Sequence, residues 1–216
     1  GEGDGDSLRY QMAFQRRLAR QVAVAGAIDP IRRTIASEHP VSEAVLTAIL
    51  RHSAFVPSGH EHIFGRAVSH FLGGDDMAAL SLLAPQLENS LRHLLALNGH
   101  DTTTANAEGI QTEASLSILL KPDRPWRALL EAAISSRYVH EIDLLFDFPG
   151  GPAVRNQIAH GKVPTGGFWE PDFTYAAWLI VQLATVPLVG HWDAVERMFE
   201  QLTGLAQRNE QALSPG

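Results

Sequence analysis

The 216-residue chain contains no cysteine. Zinc–thiolate, iron–sulfur and disulfide chemistry are excluded with it, as is a cysteine nucleophile, and secretion is disfavoured. Charge is sparse: Asp, Glu, Lys and Arg make up 19% of residues, and 17 Lys and Arg against 24 Asp and Glu leave a formal charge of −7. Such a balance argues against a broad basic face coating nucleic acid, while leaving room for a local basic site. A bilayer-spanning run is also missing. Phe173 to Val189 is interrupted by Thr174, Gln182, Thr185 and Pro187 and falls short of the roughly 20 residues a span requires. It reads as a buried helix, and no membrane association is expected. There is no apolar signal segment and no initiator Met. The opening Gly-Glu-Gly-Asp-Gly-Asp reads as a linker, and the chain as a cytoplasmic piece of something longer, with other domains of that chain as possible partners.

Two nucleotide and hydrolase signatures are absent as well. Gly161-Lys162 is followed by Val163 with no matching upstream glycine, so there is no phosphate-binding P-loop, and no Gly-x-Ser-x-Gly elbow occurs.

What the chain does have is hydrophobic content, 45%, enough at this length to bury about 70% of the extended surface. Apolar residues recur at helical spacing throughout, so the expected fold is all-α, a helical bundle. Helices are expected over about 7–25, 28–37 (starting at Asp29-Pro30), 42–53 and 60–72. A long one follows from Asp75-Asp76 to Asn98-Gly99, with the stripe Leu80, Leu83, Leu87, Leu91, Leu94 facing the core and Pro85 as a kink. The polar stretch Gly99–Thr112 reads as a mobile loop near the cleft. Helices resume over about 113–120, 125–135 and 137–146, the last two read as separate helices or as one. After the turn Phe148-Pro149-Gly150-Gly151, Pro152 is placed to open a short helix that Gly161 ends. Helices over about 172–186 and 191–212 close the chain. Residues 1–57 read as an N-terminal helical segment and 58–216 as the principal helical domain.

The chemistry concentrates in Arg155-Asn156-Gln157-Ile158-Ala159-His160-Gly161. On a helix Asn156 and His160 lie about 40° apart, Arg155 about 140° from His160, and Val154 and Ile158 turn toward the core. A short helix thereby presents an amide and an imidazole, with a guanidinium long enough to swing to the same side.

This segment resembles the hallmark of the HEPN (higher eukaryote and prokaryote nucleotide-binding) superfamily, an Arg, often followed by Asn, with His four to six residues after the Arg. It is most similar to the branch called domain of unknown function 4209, whose Arg-Asn-x-x-x-His-Gly pattern is met by Arg155, Asn156, His160 and Gly161. Phe71-Leu72-Gly73-Gly74-Asp75 and Leu83-Ala84-Pro85-Gln86-Leu87-Glu88, then Leu91-Arg92, are similar to the long helix that precedes the motif in those proteins. The likeness covers about residues 60–200. It implies a HEPN-type bundle with additional N-terminal helices, a homodimer with two motifs facing across one cleft, and metal-independent cleavage of RNA. Arg155, Asn156 and His160 would be catalytic, with Glu88, Arg92 and Gly161 in support and no cofactor. Other members act without catalysis, so the alternative is a dimerisation or RNA- and nucleotide-binding module of a larger defence or stress protein.

The residue types suit the reaction. Attack by the RNA's own 2′-hydroxyl needs a base, an acid for the leaving 5′-oxygen, and positive charge near phosphorus. Arg offers a planar, bidentate phosphate contact. Asn156 would orient the phosphate or the partner imidazole. His160 falls in the last helical turn, where the macrodipole favours a cation.

Plainer roles fit the same residues. Arg155 can pair with Glu88 or Asp147, Asn156 can serve as a cap or turn residue, and His160 as a C-cap. Glu88 and Arg92, four apart, read as an ordinary helix ion pair. His60, His62 and His70 invite a metal, but His60 and His62 face about 200° apart on a helix, and no metal site is expected. Trp126, Trp169, Trp178 and Trp192 read as core or interface anchors.

Overall fold

The computed structural model describes residues 2–39, 41–105, 111–190, 192–193 and 196–197. It is mostly helical and belongs to the all-α class. α1 (Glu2–Ala23) passes through a wide π-type turn (Val24–Ile28) into α2 (Asp29–Glu38) without interruption. The Gly-Glu-Gly-Asp-Gly-Asp opening is therefore helical from Glu2 rather than a linker. No break occurs at Asp29-Pro30, because the wide turn has already displaced the hydrogen-bond ladder: the Asp29 N–H reaches back to the Val24 carbonyl. A proline entering there disturbs little.

α3 (Glu43–Leu50) is capped by Ser42, whose Oγ accepts from the Val45 N–H. α4 (Glu61–Leu72) leads to α5 (Asp76–Leu97), capped by Asp75 Oδ1 on the Ala78 N–H at 3.0 Å. α5 is helical throughout with Pro85 inside it, and all five leucines of its stripe are buried. α6 (Leu116–Leu119), α7 (Pro125–Ile134) and α8 (Ser136–Ile142) follow, then a second π-type turn (Asp143–Asp147). α9 (Val154–Ala159), a 3₁₀ turn (Thr165–Trp169) and α10 (Pro171–Val189) complete the described bundle.

Three expectations need correction. Between α5 and α6 lies a two-stranded antiparallel ribbon, β1 (Thr103–Ala105) and β2 (Gln111–Glu113), with Thr103 opposite Glu113. It occupies both ends of the stretch read as loop, and residues 106–110 fall outside the described ones. The ribbon also delays the next helix, which begins at Leu116 and not near 113. α7 and α8 are not continuous, since Ser135 stands at φ 81°, ψ 148° between them, a conformation reached almost solely by glycine. Pro152 does not open α9, because Ala153 first takes a left-handed conformation and the helix starts at Val154. The helix expected over 191–212 lies mostly outside the described residues.

One buried cluster joins Val24, Ile28, Leu50 and Phe55 to Phe64, Leu87, Leu145 and Ile180, so the first 57 residues share the core of the remainder. Two ion clusters are sealed into this core. Arg32 on α2 pairs with Asp76, which is 0% exposed and also accepts from Thr174 Oγ1 at 2.5 Å. Arg20 on α1, 2% exposed, donates from Nε to Asp172 (2.7 Å) and from Nη1 to Glu141 (2.8 Å). α10 is long and apolar enough to cross a membrane by length and composition, yet 61% of its most apolar window is buried. Here it serves as a core helix. Trp178 on α10 stacks on Phe71, and Trp126 and Trp169 each donate an indole N–H to a backbone carbonyl.

Candidate functional site

α9 packs against α5 and the Asp143–Asp147 turn. Val154 is fully buried and Ile158 half-buried against the core, so the helix is seated by its apolar pair. Asn156 and His160 lie on the opposite, exposed edge. Among the described residues neither side chain has a hydrogen-bond partner. His160 is the C-cap, and its backbone N–H reaches the Asn156 carbonyl at 3.2 Å. Gly161 then takes φ +60°, the left-handed conformation that ends a helix at lowest cost with glycine. The motif's glycine therefore has a backbone role, turning the chain sharply after the imidazole.

Arg155 leans the other way, toward α5. Its Nη2 donates to Glu88 Oε2 at 3.2 Å, and its side chain stays 39% exposed. The partner is Glu88, while Asp147, the other carboxylate in range by sequence reasoning, accepts instead from Ser117 Oγ. Glu88 is heavily used. Oε1 accepts from Arg92 Nη1 at 2.7 Å, and Oε2 also accepts from the Leu116 N–H at 2.9 Å, which caps the start of α6. Arg92 in turn donates to the Ala114 carbonyl at 3.1 Å and lies 3.7 Å from Glu113 at the foot of the ribbon. The structure thus brings Glu88, Arg92 and Arg155 into one network that pins α9, α5, α6 and the ribbon's base. Asn156 and His160 remain outside it.

Arg155 spends one nitrogen on Glu88, and its Nε and Nη1 have no partner among the described residues. Arg155 also borders a groove of about 250 Å³ lined by Ala84, Pro85, Glu88, Ile158 and Ala159. On the other flank of α9, Gln157 lines a larger cavity beneath α1. Asn156 and His160 themselves line neither depression. Gln157 went unremarked in the sequence although it stands inside the seven-residue motif; only its spacing to His160 could have flagged it.

Among the described residues no group of three His, Cys, Asp or Glu side chains is placed to hold a metal. His60 donates from Nδ1 to Gln86 Oε1 at 2.8 Å, and His70 pairs with Asp75 at 3.1 Å. Each is accounted for locally.

No family model matches the chain, and neither does any curated protein or solved structure. The likeness to HEPN proteins accordingly stands on the motif and on the residues quoted between Phe71 and Arg92 alone.

Proposed function

We propose that this chain is a metal-independent endoribonuclease of the HEPN type, cytoplasmic, whose active site is completed when a second copy brings its α9 opposite the first. The observation carrying this reading is the exposed edge of α9, where Asn156 and His160 stand free of protein partners beside a guanidinium anchored by one nitrogen. A single α9 offers one imidazole, whereas the reaction needs a base and an acid. In a two-fold pair, one His160 takes the proton from the 2′-hydroxyl as the 2′-oxygen bonds to phosphorus. The other gives a proton to the 5′-oxygen as the phosphorus–5′-oxygen bond breaks. Arg155 places its free N–H groups on the phosphate and keeps Glu88 behind it as a support.

His160→Ala and Arg155→Ala are expected to abolish cleavage of single-stranded RNA in the presence of a chelator, with circular dichroism unchanged. Wild-type products should end in 2′,3′-cyclic phosphate, and light scattering should give twice the 23.5 kDa chain mass. Retention of nuclease activity in both variants, or a monomer at tens of micromolar, overturns the composite site.

The reading as a non-catalytic interaction module is favoured by one observation, the carboxylate of Glu88 occupying part of Arg155 where a phosphate would bind. It expects no cleavage by the wild type and a loss of dimerisation or RNA binding in the same variants.

A further inference from the structure

A cavity of 420 Å³ lies between α1, the turn before α9, Gln157 of α9 and the start of α10. Its volume is that of a small-molecule site. Three features mark it as built for a ligand. Arg20 lines it and is 2% exposed, with Nε and Nη1 committed to Asp172 and Glu141, yet its Nη2 is buried without a hydrogen-bond partner among the described residues. A buried donor left unmatched carries a desolvation cost, and an acceptor in the cavity relieves it once the guanidinium turns Nη2 toward the lining. The wall on α1 is aromatic and exposed: Phe14 shows 74% of its surface and Tyr10 56%. Gly150 forms part of the turn, and a Cβ there would lie 2.3 Å from the Tyr10 ring, so the glycine lets the ring sit against the backbone. Finally, Gln157 donates from Nε2 to the Pro152 carbonyl at 2.7 Å, which leaves its Oε1 as an acceptor, and the Glu170 carboxylate adds a second.

The charges select the ligand's character. Of the charged residues lining the cavity, Arg17 and Arg20 are matched in number by Glu170 and Asp172, so the lining has no net charge to spend on an anion and the spare N–H calls for a neutral acceptor. A planar ring with a carbonyl or ring-nitrogen acceptor beside N–H donors meets all three features, its edge on Arg20 Nη2, Gln157 and Glu170 and its face on Phe14. Among the components of RNA this is a nucleobase, stacked on an aromatic side chain and read at its edge. Gln157 precedes His160 by three residues, about 60° round the helix and about 4.5 Å along it. A nucleotide seated in the cavity would leave its backbone at the Asn156–His160 edge.

We infer that this cavity receives one unstacked base of the RNA strand and thereby sets which phosphodiester is presented to His160. The inference rests on the endoribonuclease reading for the word RNA, and on the cavity's own chemistry for the base. Phe14 and Gln157 act as specificity-determining residues, and Arg20 as the buried donor.

The four ribonucleoside 5′-monophosphates, titrated calorimetrically at up to millimolar concentration into the full chain, test the site without requiring cleavage. One or two bases should bind measurably better than the others. Phe14→Ala, whose exposure lets the fold survive, should weaken that binding roughly 5- to 150-fold, the range for removing one base–aromatic stack. Gln157→Leu should reduce the discrimination between bases. In the second arm, single-stranded RNAs differing at one position should be cut with a base preference that Phe14→Ala flattens, while His160→Ala abolishes cutting and keeps the order of preference among the four mononucleotides. Absence of binding by all four mononucleotides, or binding unchanged in both Phe14→Ala and Gln157→Leu, overturns the base pocket, even where cleavage itself is found. Base binding without any RNA cleavage supports the pocket as a free-nucleotide site and refutes the nuclease reading instead.

Discussion

Arg20 and Arg155 sit on helices that border the same cavity and are held by opposite means. Arg20 is sealed in the core between carboxylates 121 and 152 positions away, with Arg16 and Arg17 on α1 reaching the same two acids at 3.4 and 3.7 Å. Arg155 is more than a third exposed and makes one bond to a carboxylate that has other donors. Burying an ion pair is costly and gives little net stability, but removing one partner strands a charge. A half-exposed pair exchanges its partner at little cost. The arginine suited to meeting a phosphate is thus the weakly held one, and the tightly held ones belong to the scaffold that aims it.

That contrast is broken or sharpened most strongly by Asp76→Ala. Removing the fully buried acceptor of Arg32 and Thr174, with only the less buried Asp29 left beside the guanidinium at 2.8 Å, should cost about 3 kcal/mol, read as a lower urea midpoint, whereas Arg155→Ala should cost under about 1 kcal/mol. Similar losses in the two variants would erase the distinction. Glu88→Ala comes next, at about 1–3 kcal/mol, because the Leu116 N–H and half-buried Arg92 lose their acceptor. In that variant α9 loses its one ion pair to α5 and keeps its apolar seat, and hydrogen exchange in residues 154–159 should rise modestly. Ser135→Gly should act in the other direction and raise stability by about 1 kcal/mol, by relieving a backbone conformation that glycine alone adopts freely. An unchanged melting temperature there would argue that the α7–α8 junction is relaxed.

The smallest expected effect is a pH dependence. Burial, followed by the charge of His60, holds the His93 imidazole below its ordinary value of 6.5. The unfolded chain therefore takes up that proton first as pH falls, and stability is lost from about pH 6.5 down through the depressed folded value. His93→Gln should flatten the stability–pH curve in this window and leave it unchanged above it. A variant curve parallel to wild type from pH 7 to 5 would exclude His93 as a source of acid sensitivity.

The parts of the fold legible in the sequence are those with a repeating buried side. α5 announces itself through five leucines three to four apart, and α10 through an almost unbroken apolar run. The ribbon does not, because Thr-Thr-Ala and Gln-Thr-Glu are three-residue strands, the second wholly exposed, and alternation needs a face to bury. The π-type turns leave no signature either, since they keep helical residues and change only the reach of the hydrogen bonds. In the candidate site, the Glu88–Arg92 pair was legible as a four-residue spacing, and Glu88 was one of two carboxylates weighed for Arg155. Their joint grip on Ala114 and Leu116 was not, for it depends on how the ribbon folds back. Arg20 and Arg32 do not show as buried residues in the sequence, because the carboxylates that meet them in the core lie 44 to 152 positions downstream and no periodicity carries that distance; Asp29, three positions before Arg32, reads as an ordinary helix pair.

The span between Arg20 and Asp172 also sets a clock. At a synthesis rate of roughly 5–20 residues per second, the 152 intervening positions take about 8–30 s to appear. Through that interval α1, the earliest of the described helices to be made, carries Arg17 and Arg20 without Asp172, and for the first 121 positions Arg20 lacks Glu141 as well. Its own hydrogen bonds form in well under a millisecond, so the helix waits for its dock some four orders of magnitude longer, at the least, than it needs to form. The first helix shaped is thus among the last secured, and the wall of the base cavity is finished only when α10 arrives.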